Sequence, residues 1–422
     1  MTESLVSKEK LLEEVLEGEN LRIALRRVTS NRGSAGIDGM TVEELPEYLK
    51  QHWPGIKEAL LEGKYKPQAV RRVEIPKPGG GVRKLGVPTV LDRLIQQALM
   101  QVLQGQWDKT FSEHSYGFRP GKSAHQAVAK AQQYIEQGYR WVVDIDLEKF
   151  FDRVNHDRLM SRIAKRVQDR RVLKLIRAFL DSGVMENGLV SPTREGVPQG
   201  GPLSPLLSNL VLDELDRELS RRGHRYVRYA DDANLYVRSQ RAGERVMQGI
   251  TTFLAQKLKL KVNREKSAVD RPWNRKFLGF TFHRTRKGRN TRAPAPESVK
   301  RFKDKIRVMT RRSGGRSLKQ VIAQLKPYLI GWMNYFGYAE VKTPFQELDS
   351  WIRRRLRCMV WKQWGSRRYR RLRAKGVNQY TAWVTSKSGH GPWRLSHAPA
   401  VQQALGCKFF QELGLPSLVA SY

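Results

Sequence analysis

The run Arg225-Tyr226-Val227-Arg228-Tyr229-Ala230-Asp231-Asp232-Ala233-Asn234-Leu235-Tyr236-Val237 constrains the fold more than any other stretch of the chain. Two strand-like runs flank an adjacent pair of acids, which reads as a β-hairpin with both carboxylates at its turn. Adjacent carboxylates repel, so the pair costs stability unless water or a divalent cation relieves it. Asp is also an ordinary turn residue, and such a tip is commonly just solvated. A second acidic run upstream, Trp141-Val142-Val143-Asp144-Ile145-Asp146, gives the pair its weight. On a strand, Trp141, Val143 and Ile145 share one face, and Asp144 and Asp146 share the other. A strand bearing acids beside a hairpin bearing two more can bring three carboxylates to one point. Carboxylates suit Mg2+, and two such ions clamp the attacking and leaving oxygens of an in-line nucleotidyl transfer.

Charge points to the same substrate class. Lys plus Arg number 78 against 41 acids, a net charge of +37. A chain this basic binds polyanions, with an affinity that falls as salt rises. A membrane-surface role is the rival use of such charge, but the interleaved Trp, Tyr and Phe favour nucleic acid. The 422 residues, 40% of them apolar, suffice for two or three packed domains. With Cys358 and Cys407 as the two cysteines, a disulfide framework and a Cys-rich zinc module are both excluded. The start of the chain has no apolar signal core and no later stretch is long enough to span a bilayer. The expectation is a soluble, cytoplasmic protein.

Leu11, Leu12, Val15 and Leu16, then Leu21, Ile23 and Ala24, recur at helical spacing and stop at a glycine-rich loop over 31–39. Runs at 70–76 and 82–88 flank Lys77-Pro78-Gly79-Gly80-Gly81, a hairpin with cations at its tip and flank. Leu91 to Leu103 carry a helical apolar stripe, and strands and helices alternate to about residue 285. Three further apolar-striped helices, around 297–312, 318–329 and 345–356, read as a small bundle. Between 352 and 375 stand eleven Lys or Arg and no acid, with Trp361, Trp364 and Tyr369 among them. That run is either a solvated helical face or a surface for nucleic acid.

Several motifs stand in a telling order. Ser115-Tyr116-Gly117-Phe118-Arg119-Pro120-Gly121 precedes the strand with Asp146. The loop Gly196-Val197-Pro198-Gln199-Gly200-Gly201-Pro202 and then Tyr229-Ala230-Asp231-Asp232 follow it. Phe277-Leu278-Gly279-Phe280 and Pro327-Tyr328-Leu329-Ile330-Gly331-Trp332 come last. Together, over roughly residues 20 to 420, they resemble the bacterial group II intron reverse transcriptases and maturases.

The resemblance implies an α/β (α+β) multidomain right-hand polymerase, with fingers, a βαββαβ-like palm and a helical-bundle thumb. An N-terminal extension with the glycine loop would occupy 1–65, fingers and palm 66–290, and the thumb (domain X, maturase) 291–370. A short basic tail over 371–422 reads as a DNA-binding remnant. Asp146, Asp231 and Asp232 would hold two Mg2+ ions. Asp146 is preferred to Asp144 because the family places an aromatic residue, here Phe151, five positions after the ligand. Phe151 would sit under the incoming sugar and exclude a 2′-hydroxyl, with core packing beside Phe150 as its alternative. Lys77 and Arg83 would hold the triphosphate, Gln199 would line the nucleotide, and Lys266 would stand near the leaving pyrophosphate. Arg119 and Lys122 would touch template backbone, and Phe277, Leu278 and Gly279 would form the primer grip. Arg367, Arg368, Arg370 and Arg371 would bind RNA.

The implied partners are an intron RNA template, a DNA primer or target, and dNTPs, with nucleoid association when target DNA is bound. The implied function is RNA-directed DNA polymerisation together with help in splicing and retromobility of the intron. Members with a DNA endonuclease carry Cys and His pairs after the tail, and this sequence shows none. A reverse transcriptase of another lineage (retron, diversity-generating or defence) is one alternative, opposed by the glycine loop and the thumb motif. A non-catalytic RNA-binding splicing factor is the other, opposed by carboxylates that would only repel RNA phosphates.

Overall fold

β-branched and aromatic residues recur in the longer strands of the set β1 Val70–Pro76, β2 Val82–Val87, β3 Trp141–Ile145, β4 Val184–Glu186, β5 Leu189–Ser191, β6 Arg225–Tyr229, β7 Asp232–Val237, β8 Ala268–Asp270, β9 Phe280–Arg284 and β10 Asn290–Pro294. The computed structural model describes residues 10–76, 81–186, 189–191, 195–197, 200–286, 288–311 and 314–419. The chain divides into two units, between Asp270 and Arg271.

In the first unit, an antiparallel sheet runs β6-β7-β3-β8. Helix Ser204–Arg221 lies in the connection from β3 to β6, and helix Gln240–Phe253 in that from β7 to β8. This is the βαββαβ order expected of a polymerase palm. Val143, Ile145, Ala233 and Leu235 of the sheet join one core with Leu206, Leu210, Ile250 and Leu254 of the helical segments. A second, mixed sheet runs β2-β1-β4-β5, with β1 and β4 parallel. Its hairpin β1–β2 is the one the sequence called for.

The N-terminal helices Leu11–Val15 and Gly18–Ser30 do not stand apart. Leu11, Leu12, Val15, Ala24 and Val28 enter the same core as Leu94 and Leu99 of helix Val90–Trp107. The Leu12 N–H donates to Asp169 Oδ2 at 3.0 Å, and Arg171 pairs with Glu13 at 2.8 Å.

The second unit holds the three expected thumb helices, Pro296–Met309, Leu318–Phe336 and Thr343–Trp364. Ser317 and Gln320 close a capping box at the start of the middle one. Phe302, Trp332 and Phe345 pack between the helices, with ring centroids 4.5 and 5.5 Å apart. The structural break falls twenty residues before the sequence-based palm–thumb line at 290. The reason is Phe280 of β9, whose ring packs on Tyr335 and Phe336 and so ties the β9–β10 hairpin to the helices. No helix among the described residues is long and apolar enough to cross a membrane.

Candidate active site

Tyr229 pairs with Asp232 across a two-residue turn made of Ala230 and Asp231. Asp231 alone occupies the turn, while Asp232 opens β7, so the expectation that both acids sit at the tip is corrected. A two-residue hairpin needs left-handed backbone at its first position, and Ala230 supplies it with φ +55°. An alanine there is strained and must be held. Two features hold it. Gly117 packs so closely that a Cβ at its position would stand 2.3 Å from the Ala230 nitrogen. Arg228, wholly buried, donates to the Ala230 carbonyl at 2.9 Å, to Ser115 Oγ at 2.7 Å and to Asn209 Oδ1 at 3.0 Å. Its remaining donors grip buried Asp216 at 2.8 and 2.6 Å, and Asn209 in turn donates to the Gly117 carbonyl.

Sequence reasoning passed over this network. Its signal was an arginine inside an apolar strand, which needs a buried acid to answer it.

Asp146 follows the last residue of β3. Its N–H donates to Ser267 Oγ at 2.9 Å, and its carbonyl accepts from the Asn263 N–H at 2.8 Å. Lys266 places Nζ 3.8 Å from Asp146 Oδ2, which puts that sequence-predicted lysine at the acidic site. Asp144 lies inside β3, opposite Asn234 and Ala268. With the Asn234 amide turned nitrogen-inward, that side chain donates to Asp144 Oδ1 at 2.9 Å. The two candidate ligands thus differ: Asp144 is engaged by a neighbouring strand, and Asp146 by a flexible cation.

The acids feel one another. Burial pushes the Asp231 carboxyl up, and the Asp146 charge adds to it against the pull of Arg83 and Arg228. Asp232 keeps an open surface, yet the protein around it strips hydration, and repulsion from Asp231, Asp144 and Asp146 adds to that loss. Its pKa is pushed up to about 7. Such mutual repulsion is the condition that a divalent cation relieves. Among the described residues no three acid, His or Cys side chains stand close enough to close a metal cage by themselves.

A cavity of about 490 Å³ opens beside Asp231, lined by Arg83, Phe118, Phe151, Gly200 and Arg93 among others. The paired phenylalanines part ways: Phe150 is core, while Phe151 is half-buried and faces the cavity. At Gly200, φ is +137° and a Cβ would stand 2.6 Å from the Gly86 carbonyl oxygen, so this wall can only be backbone. Arg93 donates to the Ser34 carbonyl at 2.6 Å, tying the 31–39 loop to helix Val90–Trp107. Phe118, exposed and left-handed at φ +58°, was not singled out from sequence. Lys77 and Gln199 lie outside the described residues.

Other assignments fare unevenly. Arg119 turns inward, bonding both carboxylate oxygens and the carbonyl of Asp108 and the carbonyls of Ser112 and Ser115, with its side chain 5% exposed. Its donors are spent on the 108–115 turn, so the expected template contact is corrected to a strut. Lys122 lies over the Tyr116 ring at 5.1 Å. Phe277, Leu278 and Gly279 belong to the second unit. Phe277 and Phe280 exchange backbone bonds around Leu278-Gly279, both left-handed, and Tyr335 Oη donates to the Leu278 carbonyl at 2.8 Å. Arg367, Arg370 and Arg371 are exposed. Arg368 leans on the Trp361 ring at 5.1 Å and donates to its carbonyl.

The profile described as reverse transcriptase (RNA-dependent DNA polymerase) matches residues 75–282. That of the group II intron maturase-specific domain matches residues 299–376. Protein YkfC of Escherichia coli K12 is 32% identical over 301 residues, 62% of this chain and 79% of that protein. The group II intron-encoded protein LtrA of Lactococcus lactis subsp. cremoris is 36% identical over 196 residues, 46% of this chain but 32% of LtrA. The retron Mx65 reverse transcriptase of Myxococcus xanthus is 30% identical over 208 residues, 47% of each chain.

Proposed function

The chain belongs to the group II intron family of reverse transcriptases and maturases, and from that premise we propose that it copies RNA into DNA at the acidic hairpin and helps its intron RNA to splice and move. The observation that carries the reading is Asp231 at a cavity walled by Phe151 and Arg83, with its carboxyl and that of Asp232 pushed up in part by the charge of Asp146. The raised Asp232 and Asp231 carboxyls fit a cation site, because clustered acids that repel at neutral pH are stabilised when a cation neutralises them. When bound, Mg2+ would neutralise charge on the attacking 3′-oxygen and on the leaving phosphate oxygens.

The chain's own residues supply the rest. Asp146, Asp231 and Asp232 would hold the ions. Arg83 would pair with phosphate oxygens, and Lys77 and Gln199 share that task in this reading. Phe151 would fill the space a 2′-hydroxyl needs, with the Gly200 backbone opposite. Lys266, beside Asp146, would meet the departing pyrophosphate. Lys122 and the Phe277-Leu278-Gly279 turn would contact template and primer, and Arg367, Arg370 and Arg371 would hold intron RNA.

A retron-like reading is less well supported, because the maturase-specific match at 299–376 adds a domain with an intron-splicing character. A purely RNA-binding reading leaves the acid cluster without a purpose.

Asp231→Asn tests the proposal. Removing one metal ligand should lower dNTP incorporation on an RNA template by roughly a thousandfold or more, with RNA affinity nearly intact. Primer extension at close to the wild-type rate would refute the metal-binding role.

A further inference from the structure

We propose that the exposed aromatic face of helix Gln379–Lys387 is a stacking platform for unpaired RNA. The helix is short but firmly set. Asn378 caps its start by accepting from the Thr381 N–H at 2.8 Å, and Ala382 and Thr385 are buried on its inner side. Its outer side carries Tyr380, Trp383 and Val384, 76, 55 and 44% exposed. These positions are three and four apart, so they form one contiguous face. Three large apolar groups side by side in water are costly unless a partner covers them. Elsewhere in the same unit an exposed tryptophan is already answered: the Arg354 guanidinium sits 4.1 Å above the Trp393 ring. Among the described residues, Tyr380 and Trp383 show no such ring or cation partner.

Charge selects the partner. No acid occurs between Asp349 and Glu412, and helix Arg368–Ala374, with exposed Arg370 and Arg371, packs directly against the aromatic helix. An acid-free surface with flat rings among cations suits a polyanion that has π-faces of its own. A duplex hides those faces inside its stack, so the occupant has unpaired bases. RNA is favoured over DNA by continuity: the aromatic helix begins three residues beyond residue 376, where the maturase-specific match ends. The inference rests on the proposed intron-RNA role and extends that surface onto a helix the match does not reach.

The test compares the full chain with Tyr380→Ala/Trp383→Ala and Tyr380→Phe/Trp383→Phe pairs. The probes are a short unstructured single-stranded RNA, an RNA duplex of equal length and the DNA strand of the same sequence. Stacking of two bases predicts single-stranded RNA binding weaker by about tenfold or more in the alanine pair. The salt slope should hold, because no charge is removed. The phenylalanine pair should recover most of the affinity, and duplex binding should move by less than about twofold, far below a stacked base's worth.

Unchanged affinity for single-stranded RNA would overturn the platform. So would an equal loss on the duplex, or a loss confined to the DNA strand. Failure of the polymerase reading is separable. A wild-type chain that cannot extend an annealed primer counts against that reading and leaves the binding comparison standing. A wild-type chain that does extend, with an alanine pair binding RNA like wild type, removes the platform alone.

Discussion

The acidic hairpin of the first unit and the acid-free surface of the second, both proposed to meet a polyanion, are built in opposite ways. At the hairpin, like charges crowd: Asp231 and Asp232 are held near Asp146, and their carboxyls are pushed up by lost hydration and repulsion. That crowding is sustained by buried structure, above all the Arg228–Asp216 pair under the Ala230 carbonyl. At the tail, cations and rings spread outward, and the helices beneath them are ordinary packed helices. A site for chemistry needs geometry fixed against electrostatic cost. A surface for binding needs only net charge, reach and exposed faces. Substitutions at the hairpin should therefore damage rate and fold, and substitutions at the tail should change affinity and its salt dependence.

The largest effect should separate the two acids of the upstream run. Asp146→Asn should lower primer extension by roughly a thousandfold, and Asp144→Asn, whose partner is Asn234 on the next strand, should lower it by far less. The reverse order would move the ligand to Asp144 and redraw the hairpin side of the contrast.

Arg228→Met probes the support beneath. It leaves Asp216 buried without its cation, a loss of about 3–5 kcal/mol in comparable buried pairs. The unfolding of the first unit should fall to lower temperature, and extension should decline with it even at temperatures where the variant stays folded. A variant that unfolds and extends as wild type does would show that the turn stands without its arginine.

A smaller change is expected at the cavity wall. Phe151→Ala should let ribonucleotides in, lowering the ratio of kcat/KM for dNTP over rNTP by about tenfold or more. A constant ratio in a folded variant would make Phe151 a packing residue like Phe150.

The mildest effect on chemistry, and the sharpest on binding, should come from the basic segment that ends the thumb and begins the tail. Changing Arg367, Arg368, Arg370 and Arg371 together to Ala should make the slope of log affinity against log salt shallower on duplex RNA. Arg368 is partly spent on Trp361, so the change should be nearer about 3 than 4 units. Extension of a short annealed primer should fall less than splicing assistance on structured intron RNA. An unaltered slope would erase the contrast between the two regions.

Local patterns carried most of the architecture. Period-two alternation is a property of neighbours along the chain, so the hairpins at 70–87 and 225–237 and the strand at 141–145 were legible. The thumb helices were legible for the same reason, through their apolar stripes. The motif order is what proposes the acids, and Phe151 and Lys266 with them, as a site. Lines between units were less legible, because they depend on which surface a segment finally covers. The Phe280 ring joins its hairpin to the second unit, and Leu11, Leu12 and Val15 fold the N-terminal helices into the first.

By itself the sequence determined the residue types at the proposed site, carboxylates at 146, 231 and 232 and a bulky ring at 151, and a basic run without acids over 352–375. Only the tertiary structure decided how they are used. It put Asp232 at the start of a strand rather than in the turn, turned Arg119 inward onto Asp108, and set Arg228 beneath the turn with Asp216, twelve residues away in sequence, as its partner. A guanidinium looks the same in a sequence whether its donors face a phosphate or a buried carboxylate. The choice is made by which groups the fold leaves without water, and that is a property of the whole packed chain.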